Sequence, residues 1–404
     1  MKMHWIPLLI ALIVNLAIDF YAYRRLHRSV VWPRWAAPCY GGVSALLYGL
    51  LCVAVYFSLQ QSDSSIHVAM YLLLAFYGIQ GPKFVALGVY SFSWIKRFGN
   101  GLKRFFRYSA LVVFLLLVVQ VLWGTLVTPY TIEVKHVTIE SSNLPKAFDG
   151  YRIVQFSDAH VGTYGSDTAF VSEYVDSINA QNADMICFTG DLVNRHSAEV
   201  VPFVNVFSRL HAADGVISIQ GNHDYKTYYP WESNDQWMAD SLRLVQMERK
   251  MGWTVNNDSI ITVYRSGDSI KVIGLHSFRP PHYKMRADLR AFYPEVDNKK
   301  VYKILLQHVP YVWLSYVDPD DELALGEPLH FDLMLSGHTH AMQIQATIFG
   351  KKISPSRFVS KFWGGKYQFG DQFLYVNTGV GEVGVPMRIG VKPEITVITL
   401  KKKQ

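Results

Sequence analysis

Hydrophobic positions along this chain follow two different rhythms. Up to about residue 130 they run almost unbroken in four stretches: Trp5–Tyr23, Ala36–Leu59, His67–Phe92 and Ser109–Val127. Each has about the 20 residues that a helix needs to cross a hydrocarbon core roughly 30 Å thick. The last, with its run LVVFLLLVVQVLWGTLV, is the clearest. The third is interrupted by Gly81-Pro82; Lys83 there hints at an intramembrane role, but reads more readily as a helix-end lysine or one that snorkels to the membrane surface. The first stretch is followed by Tyr21-Ala22-Tyr23-Arg24-Arg25 rather than a small-x-small cleavage site, so it reads as a span and not a signal peptide. The pattern predicts a four-helix transmembrane anchor over residues 1–130.

From Thr131 the apolar runs shorten and end in Gly, Asp, Asn or His. Strands are expected at Arg152–Ser157, Met185–Thr189, Val216–Gln220, Lys271–Leu275, Lys303–Gln307, Leu333–Ser336 and Phe373–Asn377. Helices are expected at Thr168–Gln181, Ala198–Ala212 and Asp235–Gly252. The first of these places Phe170, Val171, Tyr174, Val175 and Ile178 on one face at helical spacing. Strands alternating with helices predict a layered α/β domain over residues 131–404. The final Lys401-Lys402-Lys403 reads as a solvated end.

Charge sharpens this division. The formal net charge is +7, which invites a nucleic-acid partner. Residues 1–130, however, hold 11 Lys and Arg against only Asp19 and Asp63, while the remaining 28 basic residues are outnumbered by 30 acidic ones. The basic excess therefore belongs to the anchor, where anionic lipid headgroups account for it, and no nucleic-acid partner is expected. The first and third loops carry the arginines and lysines: Arg24, Arg25, Arg28 and Arg34 in one, Lys96, Arg97, Lys103, Arg104 and Arg107 in the other. The second, Gln60–Ile66, carries none. Positive-inside orientation then puts those two loops in the cytoplasm of a multi-pass cell-membrane protein and sends the α/β domain outside. With 23 Phe, 24 Tyr and 10 Trp the chain is no disordered polymer, and its three cysteines build no disulfide framework.

Polar residues gather where the expected strands leave the core, the usual ligand position of open α/β sheets. They read Asp158-Ala159-His160 after IVQFS, Gly190-Asp191 after MICFT, and Gly221-Asn222-His223-Asp224 after VISIQ. His308 follows KILLQ, and Gly337-His338-Thr339-His340 follows LMLS. Singly each is an ordinary polar turn; five in succession, each directly after a hydrophobic strand, are not. Asp, Asn and His without Cys suit Mn²⁺, Fe or Zn²⁺, and there are ligands enough for two divalent metal ions if one carboxylate bridges them. Two such ions can activate a water and steady both oxygens of an in-line phosphoryl displacement.

In this order the motifs D-x-H, GD, GNH(D), H and GHxH resemble the calcineurin-like metallophosphoesterase superfamily, over about Tyr151 to Leu400. The ending, with Asn377-Thr378-Gly379-Val380-Gly381, Pro386-Met387-Arg388 and Lys392-Pro393-Glu394-Ile395, is similar to its membrane-associated bacterial branch. The resemblance implies a four-layer αββα sandwich. It implies one metal on Asp158, His160 and His340, a second on Asn222, His308 and His338, and Asp191 between them. His223 would face the substrate, with Asp224 orienting its ring. After KVIGL stands His276-Ser277, where many relatives carry an acidic residue.

The expectation is a membrane-anchored dimetal phosphohydrolase that cleaves phosphodiester or pyrophosphate-type bonds through a metal-bridging hydroxide. Membrane attachment motivates a lipid-linked phosphorylated substrate and contact with membrane lipids. The alternatives are a cytoplasm-facing pyrophosphatase of nucleotide-diacylglucosamine type, and a membrane sensor that binds metal without turnover. Three features stay open between function and packing. Arg388 is a phosphate contact or a surface arginine. Ser354–Phe373 meets headgroups or a lipid-like substrate, or is a packed hairpin. Tyr225–Trp237 shapes substrate access or simply packs.

Overall fold

The computed structural model describes residues 5–28, 32–225, 228–276, 298–321 and 328–403, with Leu289, Tyr293 and Val296 between. Ser277 and the residues around it lie outside this set. The chain forms two compact units: Met1–Trp123 with Gly384–Pro386, and Gly124–Val383 with Met387–Gln404.

The first unit contains α1 (Trp5–His27), α2 (Ala36–Leu59), α3 (Asp63–Ser91) and most of α4 (Asn100–Leu126). Among the described residues, the last three are long and apolar enough to cross a membrane. Helix α3 starts on a side-chain cap, Ser62 accepting from the amide of Ser65, and continues through Pro82 without ending there. Lys83 is neither at a helix end nor snorkelling. It is 7% exposed and donates to Asp19 Oδ2 of α1 at 2.9 Å and to Ser44 Oγ of α2 at 3.0 Å. Asp19 also accepts from Tyr40, Tyr48 and Gln80, at 2.5, 2.9 and 3.0 Å. The sequence reading missed this because Asp19 lies 64 residues away, and an apolar environment lets a lysine stay buried only with such a partner.

The second unit is an αββα sandwich. One six-stranded sheet has the order β1 (Glu133–Ser141), β14 (Glu394–Lys402), β2 (Arg152–Phe156), β3 (Met185–Phe188), β4 (Val216–Ser218) and β5 (Thr254–Val255). The other runs β12 (Gly365–Phe369), β13 (Gln372–Val376), β9 (Leu333–Ser336), β8 (Lys303–Gln307), β7 (Asp268–Leu275) and β6 (Ser259–Arg265). β2 to β5 are mutually parallel, as are β7, β8, β9 and β13. Ile153, Met185, Cys187 and Ile217 of one sheet meet Val272, Ile304, Leu306, Leu333 and Tyr375 of the other in the shared core. The opposite faces are covered too, one by α5 (Ala169–Asn179) through Phe170, Val171, Tyr174 and Ile178, the other by Trp313 and Tyr316. Central strands covered on both faces are apolar throughout, which is why they read as continuous runs.

Two expectations change. No long helix forms at Ala198–Ala212: a 3₁₀ segment at Ser197–Phe203 gives way to a single α turn, α6 (Val204–Phe207). Pro202 lies inside it, with no N–H to donate and a ring that crowds the preceding turn. Helix α7 (Asn234–Lys250) forms close to where it was expected, capped by Ser233. The lysine tail is exposed, as expected, but part of it is strand. Lys401 and Lys402 finish β14, registered against Glu140 and Ser141 of β1. A polar run at a strand end carries no period to signal this.

Candidate metal centre

The site sits where β2, β3, β4, β8 and β9 end. Asp158 and His160 follow β2, Asp191 follows β3, Asn222 and His223 follow β4, His308 follows β8, and His338 and His340 follow β9. Strands of both sheets thus feed one cleft. The backbone is forced there: Asp158, His160, Asp191, His338 and His340 all have φ between +40° and +75°. Side chains other than glycine rarely adopt this conformation, and its cost is borne mostly where function requires it. Two glycines let loops approach. A Cβ on Gly337 would stand 2.2 Å from Asp158 Oδ2, and one on Gly221 2.1 Å from Asp191 Oδ1.

The seven expected ligands come together. His160 Nε2 lies 3.1 Å from His340 Nε2, which is 3.1 Å from Asp158 Oδ1. His308 Nε2 lies 3.0 Å from Asp191 Oδ2, and His338 Nδ1 2.7 Å from Asn222 Oδ1. Asp158, His160 and His340 offer ligand atoms within 4.8 Å of one another, and so do Asp191, His308 and His338. Asp191 also groups with His160 and His223. Outer contacts aim the rings. His308 Nδ1 sits 2.7 Å from the Thr189 carbonyl and His160 Nδ1 3.1 Å from that of Val193. An N–H donated there leaves each Nε2 lone pair directed at the centre.

Electrostatics favour the ligand forms of both carboxylates and of His160 and His338. Burial alone would raise Asp191, but the nearby His308 and His223 hold it well below the usual carboxylate range. Asp158 is lowered likewise, His340 and His308 outweighing burial. Burial and neighbouring imidazoles push His160 well down and His338 to about 4, keeping both neutral. His308 goes the other way: burial opposes its charge, yet Asp191 and Asp158 lift it to about 9. Nitrogen and oxygen donors with no sulfur, aimed at one another, fit divalent metal ions.

Asp224 does not orient His223. Its carboxylate accepts the amides of Asp191, Leu192, Val193 and Gly221 at 2.8–3.2 Å, and so ties the β3 and β4 loops together. A buried carboxylate beside four free N–H groups satisfies them before any more distant ring. Burial, then the Asp191 charge, raise its pKa to about 7. His223 is held instead by the Asn194 carbonyl, 2.8 Å from Nδ1, and by Tyr228, whose ring stacks on it at 3.7 Å and 3°. The Tyr228 hydroxyl also accepts from Asn222 Nδ2 at 3.1 Å. Tyr228 was visible in the sequence only as one of several aromatics after the GNHD motif.

Arg388 is neither a phosphate contact nor a surface residue. It is fully buried, and its guanidinium donates to the carbonyls of Thr378, Gly379 and Gly381. That loop in turn lies on the Asp158 turn, the amides of Val380 and Gly381 donating to Ser157 and Asp158 carbonyls. His276 pairs with Asp258 at 2.5 Å rather than with any ligand.

An αββα sandwich whose strand ends converge Asp, Asn and His on one buried centre defines a metal-dependent phosphoesterase. The chain belongs to the calcineurin-like phosphoesterase family: that model, described as "Calcineurin-like phosphoesterase", matches residues 151–342. A second, described as "Probable Calcineurin-like phosphoesterase, transmembrane domain", matches residues 3–128. The chain is 32% identical to the uncharacterized metallophosphoesterase YkuE of Bacillus subtilis over 68% of its own length and 87% of that protein. It is 28% identical to the uncharacterized metallophosphoesterase Cj0846 of Campylobacter jejuni over 75% of its length and 71% of the relative. It is also 27% identical to the transmembrane protein with metallophosphoesterase domain of Danio rerio, over 74% and 63% of the two chains.

Proposed function

We propose that this membrane protein hydrolyses phosphodiester or pyrophosphate-type bonds of a lipid-linked substrate at two divalent metal ions, on the extracytoplasmic side. The observation that carries the two-metal reading is that Asp191 belongs to ligand groups on both sides of it. Asp158, His160 and His340 would hold one ion; Asn222, His308 and His338 the other; Asp191 both. Bound there, such ions supply an activated water and neutralise phosphoryl oxygens. The chain's own part is positional. His223 keeps an N–H at Nδ1 on the Asn194 carbonyl, so its Nε2 is the proton-exchanging atom and, once protonated, would donate to a phosphoryl oxygen or to the departing oxygen. Tyr228 fixes the plane of that ring and Arg388 the loop beneath Asp158.

The substrate class is tested with the purified full-length protein in detergent. A long-chain lipid pyrophosphate or phosphodiester should be turned over with a higher kcat/KM than bis-p-nitrophenyl phosphate. Hydrolysis confined to water-soluble esters would remove the lipid-linked reading and leave the phosphoesterase.

A further inference from the structure

Beside the metal centre the second unit carries a patch suited to no aqueous setting. The hairpin of β10 (Ala346–Ile348) and β11 (Lys351–Ile353) turns through Phe349 and Gly350, and the chain then passes Pro355–Phe358 to Trp363. Phe349 is 101% exposed, Phe358 87% and Val359 77%, with Ile348 beside them. A soluble domain seldom shows several large apolar side chains together without a partner for them. Interleaved with them stand Lys351, Lys352, Arg357 and Lys361, all exposed, and no Asp or Glu occurs between Ile344 and Gly370. Lys352, Arg357, Phe358, Lys361 and Trp363 line an open cavity of about 500 Å³.

We infer that this face seats on an anionic lipid surface, Phe349, Phe358 and Val359 entering the headgroup region and the Lys352–Arg357–Lys361 cavity receiving a lipid phosphate. Aromatic tips with a basic collar are the composition that interfacial binding selects: apolar area gives depth and cations give preference for anionic headgroups. The occupant is a membrane and not an acidic protein, because the same chain carries helices long and apolar enough to span one, and large apolar side chains stand exposed among the cations. The face is also joined to the site. Thr339 Oγ1, between His338 and His340, donates to the Trp363 carbonyl at 2.7 Å, and Ser354 Oγ donates to the Ala341 carbonyl at 2.6 Å. A phosphate-bearing lipid drawn from the surface at this edge would arrive beside the β9 loop. The inference deepens the lipid-linked reading of the site, but its test reads depth and not turnover.

The test places a nitroxide in the full-length chain, with the exposed native thiols removed as C39S and C52S, at F349C or F358C. A label at Y264C, exposed on β6, is the aqueous reference. In phosphatidylglycerol vesicles the labels at 349 and 358 should favour collision with oxygen over a nickel chelate, and the label at 264 the reverse. The triple variant K352E/R357E/K361E should return both to the reference value while its thermal melt stays that of the parent. Labels at 349 and 358 as aqueous as the reference would overturn the inference. So would depth that survives the charge reversal, or that is equal in phosphatidylcholine. None of these results touches the hydrolase reading, which fails separately if no divalent metal supports turnover.

Discussion

At the scale of single residues, chemistry and stability separate cleanly. His223→Ala removes the group proposed for proton transfer and should lower kcat by about 10²–10⁴ with little change in melting temperature. Arg388→Met does the opposite. It takes the guanidinium from three buried carbonyls, of which only that of Gly379 keeps another donor, the Glu394 amide, and should cost about 3 kcal/mol of stability, read as a lower melting temperature, with activity falling only through the disturbed Asp158 loop. Glu248 offers a pH test away from the metals. It is buried, accepts from Ser218 Oγ, and is raised to about 8, by burial first and Asp224 second. A carboxyl whose folded pKa lies above its unfolded one penalises the fold increasingly as pH climbs from the unfolded value toward the folded one. Glu248→Gln should therefore gain on the parent in melting temperature between pH 5 and pH 8. An unchanged difference over that range would contradict the assignment.

At the scale of elements, the buried cluster pins α1, α2 and α3 together. Asp19→Asn strands the Lys83 ammonium and should cost about 3–5 kcal/mol, whereas Asp19→Asn combined with Lys83→Met should recover most of it. The check is the midpoint of unfolding in detergent for the three proteins. Legibility follows the same physics. Helix α2 and strands β8 and β9 were readable to the residue, because apolar runs bounded by polar turns leave little choice of ends. The candidate metal-site residues stood out because each directly follows such a strand. What was not readable depended on partners that no local pattern announces: Lys83 on Asp19, Arg388 on carbonyls of the loop before it, and His223 on Asn194 and Tyr228. The β1–β14 pairing joins residues more than 250 positions apart, and neither strand has a motif to announce it.

At the scale of the whole molecule, one chain combines a membrane region with a phosphoesterase domain, and its charge follows that division. The loop charges predict that a reporter fused after Gln404 is active only outside the cytoplasm; cytoplasmic activity would move the proposed substrate to the inner leaflet. The proposed two-metal reading is tested most directly by following bis-p-nitrophenyl phosphate hydrolysis as Mn²⁺ is returned to the chelator-stripped full-length protein. Turnover should be absent without metal, rise to a plateau at two ions bound per chain, and vanish in Asp191→Ala at every metal concentration. Full metal occupancy without turnover by any divalent ion, or an Asp191→Ala protein as active as its parent, would contradict the account.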